Sequence, residues 1–162
     1  MFTTIKKSVL RTLSGLVPEG TRISLHQRLC RPLLEQFCGK VTDEFLELLL
    51  RGMELSFCLL KGYRENIEDF GGTYVFTSDD GRVGCSAVFS AGDMDVDSKP
   101  RPSYDVRVSF RDAKALWRFL LAENQDILDS ILANEVDVDG NLNYIYKFGF
   151  LARDLQHRLG VV

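Results

Sequence analysis

Histidine, tryptophan and cysteine are scarce in this chain: two His, one Trp and four Cys in 162 residues. The cysteines (Cys30, Cys38, Cys58 and Cys85) contain no Cys-x-x-Cys pair and are too sparse for the disulfide framework of a small secreted domain. Cys30 and Cys58 fall in helical apolar patterns and Cys85 in a strand pattern, where a free thiol packs as a small hydrophobe. Buried thiols in a reducing compartment are therefore expected. His26 and Cys30, at i and i+4, could share a helical face, but two ligands fall short of a zinc site and Cys38 would have to supply a third. No metal and no cofactor are expected. Long apolar runs are also missing. Runs such as Leu48-Leu49-Leu50 are far too short to span a bilayer. Lys7 and Arg11 interrupt the opening MFTTIKKSVLRTLSGLVPEG where a signal peptide needs a continuous apolar stretch.

Catalytic signatures are absent too. There is no G-x-S-x-G, no phosphate-binding loop and no G-x-G-x-x-G. Asp93-x-Asp95-x-Asp97 opens like a calcium loop, but Ser98 stands where the loop needs glycine and Tyr104 where it needs glutamate. A solvated strand face accounts for those acids. Glu65, Glu68 and Asp69 have no partner base and read as a solvated helix end. An enzyme is not expected.

What remains is an ordinary globular composition, 45% hydrophobic and 27% charged, in a length that suits one domain plus an extra segment. The net charge of -3 is unevenly spread. Residues 1–40 hold seven Lys or Arg against Glu19 and Glu35, a net of +5, which leaves -8 for the rest. An acidic body is a poor phosphate binder, so no nucleic acid is expected. A basic head can still touch an anionic surface such as a membrane.

Along the chain, Phe2, Ile5, Val9, Leu13 and Leu16 recur at helical spacing with Lys6, Lys7 and Arg11 largely off that stripe. Three readings are open for this basic amphipathic arm: it packs on its own domain or a partner subunit, makes peripheral membrane contact through residues 1–17, or is disordered. Residues 22–37 are a second helical candidate, kinked or restarted at Pro32. A third helix starts near Thr42, a plausible N-cap, and is apolar over a wide arc through Leu60, which implies burial on more than one side.

From Gly71 the period changes to two. Tyr74 and Phe76 lead to an Asp79-Asp80-Gly81 turn, then Val83, Cys85, Ala87 and Phe89 share one face. Met94 and Val96 alternate with Asp93, Asp95 and Asp97. After the Pro100-Arg101-Pro102 turn, Tyr104, Val106, Val108 and Phe110 alternate with polar residues. The expectation is an antiparallel meander with one wet face. Asp112 can cap a helix over 113–122, a short helix spans 125–133, and Val136 and Val138 make one more strand. Gly140-Asn141 turns the chain into a last helix over 142–159. The fold class is thus α+β, a mostly antiparallel sheet of about five strands covered on one face by helices.

The stretch from Tyr104 to Leu155 carries a resemblance. SYDVRVSFRDAKALWRFL looks like the acidic residue, strand and helix unit of the sterol-carrier-protein (non-specific lipid-transfer) family. NEVDVDGNLNYIYKFGFLARDL looks like its last strand, glycine and final helix. The chain departs from the family at Asn134 and Glu135, where a glycine is common, and at Asp137 and Asp139, where lysines are frequent. The resemblance divides the chain into a basic helical extension, 1–40, and a sterol-carrier-like domain, 41–162. It implies a hydrophobic ligand (fatty acyl, sterol-like or a prenylated quinone precursor) in an apolar tunnel between sheet and helices. The family's bacterial members include accessory proteins of ubiquinone biosynthesis, and thiols outside any disulfide framework make a cytoplasmic setting the expectation. The candidate lining is Leu116, Phe119, Leu120, Leu128, Leu132, Leu142, Ile145, Phe148 and Leu151. The competing expectation is that these residues fill an ordinary core, in an accessory subunit that docks on a protein partner.

Overall fold

The structure, a computed structural model, describes residues 45–112, 115, 116, 119 and 127–159. The readings of the arm, the 22–37 helix, the Thr42 cap, the His26–Cys30 pair and Cys38 lie outside the described residues, as do Leu120 and Trp117.

Helix α1 (Phe45–Leu59) turns Leu46, Leu50, Met53 and Phe57 inward at steps of three and four, the spacing that lines up one face of a helix. Its last turn is buried on more than one side, because Ser56, Cys58, Leu59 and Leu60 are all enclosed. A short helix α2 (Lys61–Arg64) and a 3-10 turn (Glu65–Ile67) follow. The sequence gives little warning of them, although Tyr63 and Ile67, both fully buried, stand at i and i+4.

Five strands form one sheet: β1 (Gly72–Ser78), β2 (Gly84–Ser90), β3 (Asp93–Asp97), β4 (Val106–Phe110) and β5 (Val136–Gly140). Helix α3 (Ile127–Leu132) precedes β5, and helix α4 (Leu142–Leu159) closes the described chain. The strand order is β3-β2-β1-β4-β5. Three pairings are antiparallel, and β4 lies parallel to β1 with Tyr74 beside Val106 and Phe76 beside Val108.

This corrects the meander. A meander would place β4 beside β3 and leave β1 at an edge. Strand β1 is apolar on both faces, however, with Tyr74 and Phe76 on one and Val75 on the other, all nearly inaccessible. Such a strand gains most from neighbours on both sides. The edges fall instead to β3 and β5, whose outward acids (Asp93, Asp95 and Asp97; Asp137 and Asp139) discourage pairing with another chain.

The connection from β3 to β4 makes this order possible. Residues 98–105 run as a strap across the face expected to be wet. There Ser86 Oγ donates to Lys99 O at 2.8 Å and accepts from Arg101 N at 2.8 Å, and Pro100 lies over Gly84. The strap ends where Asp105 exchanges hydrogen bonds with Thr73, donating to its carbonyl at 2.9 Å and accepting from its amide at 2.7 Å. Gly140 sits against this junction at φ 116°, a backbone region that favours glycine, and a Cβ there would lie 2.3 Å from Asp105 O.

The opposite face carries Tyr74, Phe76, Cys85, Ala87, Phe89, Met94, Val96, Val106, Val108, Phe110 and Val136 against the helices, all buried in one continuous core. Asp112 Oδ1 accepts from Ala115 N at 2.8 Å, the N-cap bond read from the sequence.

Candidate functional site

The helical side of the sheet has two unlike halves. Over β1–β3, α1 and the 60–70 segment fill the interior with rings. Phe57 stacks on Tyr63 at 4.2 Å and meets Phe89 edge-on at 6.1 Å, while Phe70 packs against Phe89 at 5.5 Å and Tyr144 at 5.5 Å. Offset and edge-on contacts of this kind add to the area the rings bury. Cys58 and Cys85 are both buried, Cys85 in this layer. Burial, followed by the nearby Glu47 carboxylate, pushes the Cys85 thiol up to about 12, so it stays protonated and unreactive at neutral pH.

The other half lies over β4 and β5. Its floor is Val106, Val108, Phe110 and Val136; the inner stripe of α4 (Ile145, Phe148, Leu151, Ala152 and Leu155) is buried against β4, and α3 packs on β5. The stripe recurs at steps of three and four, so one helix face meets the sheet. Phe148 joins the halves, with its ring 5.3 Å from Phe76 and 5.8 Å from Tyr74. Phe119 closes the far end against Phe110 at 5.8 Å, and Leu116 is fully buried behind it. Val138 and Ile131 pack against the core while remaining partly exposed.

Two tyrosine hydroxyls, one from β1 and one from α2, tether α4. Tyr74 donates to Tyr144 O at 2.6 Å, and Tyr63 donates to Leu151 O at 2.9 Å. Burial raises both phenols well above their ordinary value of 10.0, helped at Tyr63 by the Asp154 carboxylate and at Tyr74 by Tyr144. Both are firm donors over the physiological range. At one end of α4 the Tyr144 ring lies flat where Gly72 leaves room, since a Cβ on Gly72 would sit 2.2 Å from it. At the other, Asp154 accepts from Asn66 and Arg158, both at 2.9 Å.

Of the residues read as lining, Leu116, Phe119, Ile145, Phe148 and Leu151 come together in the buried cluster. Leu132 and Leu142 are 79% and 38% exposed and stand outside it. Leu120 and the Leu128 side chain lie outside the described residues. The sequence reading missed the tethering pair Tyr63 and Tyr74, because a tyrosine in an apolar pattern reads as core and its acceptor lies 88 or 70 residues away. Among the described residues no His, Cys, Asp and Glu side chains group in a way that could hold a metal ion. The acids of β3 face outward, with Asp97 paired to Arg101 at 2.6 Å. No helix among the described residues is long and apolar enough to cross a membrane.

The geometry is that of an α+β domain with a mixed sheet, one half filled with rings and the other with aliphatic and phenyl side chains beside a tethered helix. Its fold is similar to that of sterol carrier protein domains. A structure described as "UbiJ-SCP2 Ubiquinone synthesis protein" is 23% identical, with a TM-score of 0.49, covering 67% of this chain and 96% of that one. The sterol carrier protein domain 2 of Helicoverpa armigera is 16% identical, with a TM-score of 0.47, covering 74% of this chain and 90% of that one. A stereoselective inverting sec-alkylsulfatase from Pseudomonas sp. is 18% identical, with a TM-score of 0.46, over 61% of this chain but only 15% of its own. At these identities the likeness concerns fold. No protein-family profile and no curated protein matches the sequence.

Proposed function

We propose that this protein binds the hydrophobic part of a lipid-like molecule between the β4–β5 half of its sheet and the underside of α4, and that it carries or presents that molecule without acting on it chemically. The observation that supports this most is an apolar edge open beside the core. At β5, Val138, paired with fully buried Val108, and Ile131 on the preceding helix are partly exposed. An alkyl chain entering there would complete the burial of both. Transfer of a 16-carbon chain from water is worth on the order of 13 kcal/mol gross, at ~0.8 kcal/mol per methylene. Immobilisation costs an estimated ~4–15 kcal/mol. Apolar lining alone is therefore enough for useful affinity, and no catalytic constellation is required.

In this reading residues 41–162 form the ligand-binding domain and 1–40 a basic extension. Fatty acyl chains, sterols and prenylated quinone precursors are the ligand classes to try, the last also suggested by the ubiquinone synthesis protein named above. The test is solvent extraction of the purified protein with mass spectrometry, followed by titration with one member of each class while Trp117 fluorescence is recorded. One co-purifying lipid-like molecule per chain, or saturable quenching by one class, is expected. Protein that arrives empty and responds to none of them refutes the reading.

The ring packing over β1–β3 favours a second reading, an accessory subunit with a filled core that docks on an enzyme complex. A protein partner retained in pull-downs by empty protein would support it.

A further inference from the structure

The outer face of α4 has no role in the site just described. Apart from Asn143, its exposed residues are Leu142, Tyr146, Phe150, Arg153 and His157, at steps of four, four, three and four, so they lie along one line. Tyr146 and Phe150 are 54% and 52% exposed, and Leu142 38%. An apolar patch of that kind on a soluble domain marks an interaction surface. Beside the line, the Lys147 ammonium lies 5.5 Å from the Phe150 ring and 5.6 Å from Phe70. From Leu142 to Arg153 there is no Asp or Glu. The first acid of the helix, Asp154, is engaged by Asn66 and Arg158.

Charge separates the candidate occupants. The acids of the sheet (Asp93, Asp95, Asp97, Asp137 and Asp139) project from the face opposite α4, so a body of net negative charge presents aromatic and cationic groups on this helix. A second copy of the chain would set this line against an equally cationic one. The chain's own arm, with Lys6, Lys7 and Arg11, would meet it with charge of the same sign. An anionic lipid surface matches it, since Tyr and Phe rings with Leu enter the headgroup boundary while Lys and Arg reach back to lipid phosphates.

We propose that the outer face of α4 is a membrane-docking surface for anionic bilayers, with Leu142, Tyr146 and Phe150 inserting at the interface and Lys147 and Arg153 contacting headgroups. It is separate from the apolar site beneath the helix, and the two readings stand or fall independently.

The test is co-sedimentation of the full-length protein with vesicles of phosphatidylcholine alone and of phosphatidylcholine with phosphatidylglycerol at 3:1. Wild-type protein partitions onto the anionic vesicles and is released by raised salt. Tyr146→Ser/Phe150→Ser lowers partitioning by at least about tenfold, and Arg153→Glu lowers it about fivefold or more on anionic vesicles only. Leu132→Ser, which removes a still more exposed leucine elsewhere, leaves it unchanged. These side chains are exposed, so melting temperatures stay near wild type and confirm that the variants are folded. Lys6→Glu/Lys7→Glu/Arg11→Glu isolates any share of the arm. Lipid extracted from the same variants reports on the inner site separately. Wild-type partitioning in the Tyr146→Ser/Phe150→Ser variant overturns the proposal. Equal binding to neutral and anionic vesicles overturns it as well. So does failure to bind either kind of vesicle, which would leave an acidic protein as the occupant.

Discussion

The two hydroxyl tethers of α4 make a sharp prediction, because each contributes through a hydrogen bond and through a raised phenol pKa. Tyr63→Phe or Tyr74→Phe removes one bond, of 2.9 or 2.6 Å, and leaves the helix carbonyl without its phenol donor. The net cost at pH 8 is about 1 kcal/mol for each, the usual value for a neutral hydrogen bond. The alkaline side reverses the comparison. A phenol whose folded pKa lies above its unfolded value of 10.0 stabilises the fold fully below pH 10, and that stability is lost as pH rises toward the folded value. By pH 11 wild type has lost about 1.4 kcal/mol at Tyr74, and stability in the same direction at Tyr63, whereas the phenylalanine variant has lost nothing at that position. Denaturant unfolding across pH 8 to 11 should therefore give stability curves for wild type and each variant that cross between about pH 10 and 11. Parallel curves would show that these phenols are not buried donors, and the tethering of α4 would have to be abandoned.

Three shorter predictions follow from the same packing. Gly140→Ala forces a Cβ toward Asp105 O at φ 116° and should cost about 3 kcal/mol in chemical denaturation, the upper range for a strained backbone position. A loss under about 0.5 kcal/mol would mean that the β4–β5 junction relaxes freely. Asp112→Ala removes the bond to Ala115 N and should cost about 1 kcal/mol, recovered in large part by Asp112→Ser. Cys85 should resist a thiol reagent at pH 8 in native protein and react once unfolded, as expected of a buried thiol held at about 12. Rapid native labelling of Cys85 would place it outside the core.

Much of the fold was legible in local periodicity. The alternation around Tyr74 to Phe89 and Val106 to Phe110 assigned the correct residues to the helical face, and the 142–159 pattern coincides with α4. Strand order was not legible, because alternation says which face a residue takes and nothing about which strand lies beside it. A clue existed in Val75 and Val88, apolar residues on the face read as wet, where the strap of 98–105 runs. The site was readable in part for the same reason. Ile145, Phe148 and Leu151 follow helical spacing onto the sheet, whereas Leu132 and Leu142 fit the same spacing but sit at helix ends, where the sheet no longer covers them. The tethers were invisible because they join Tyr63 and Tyr74 to backbone atoms far along the chain.

Paramagnetic NMR with a spin-labelled fatty acid tests where an apolar ligand would sit. The account predicts saturable broadening of the methyl signals of Val106, Val108, Val138, Ile145 and Leu151, with Leu46 and Leu50 on α1 spared. Broadening confined to exposed Leu132, or none at saturating ligand, would contradict it.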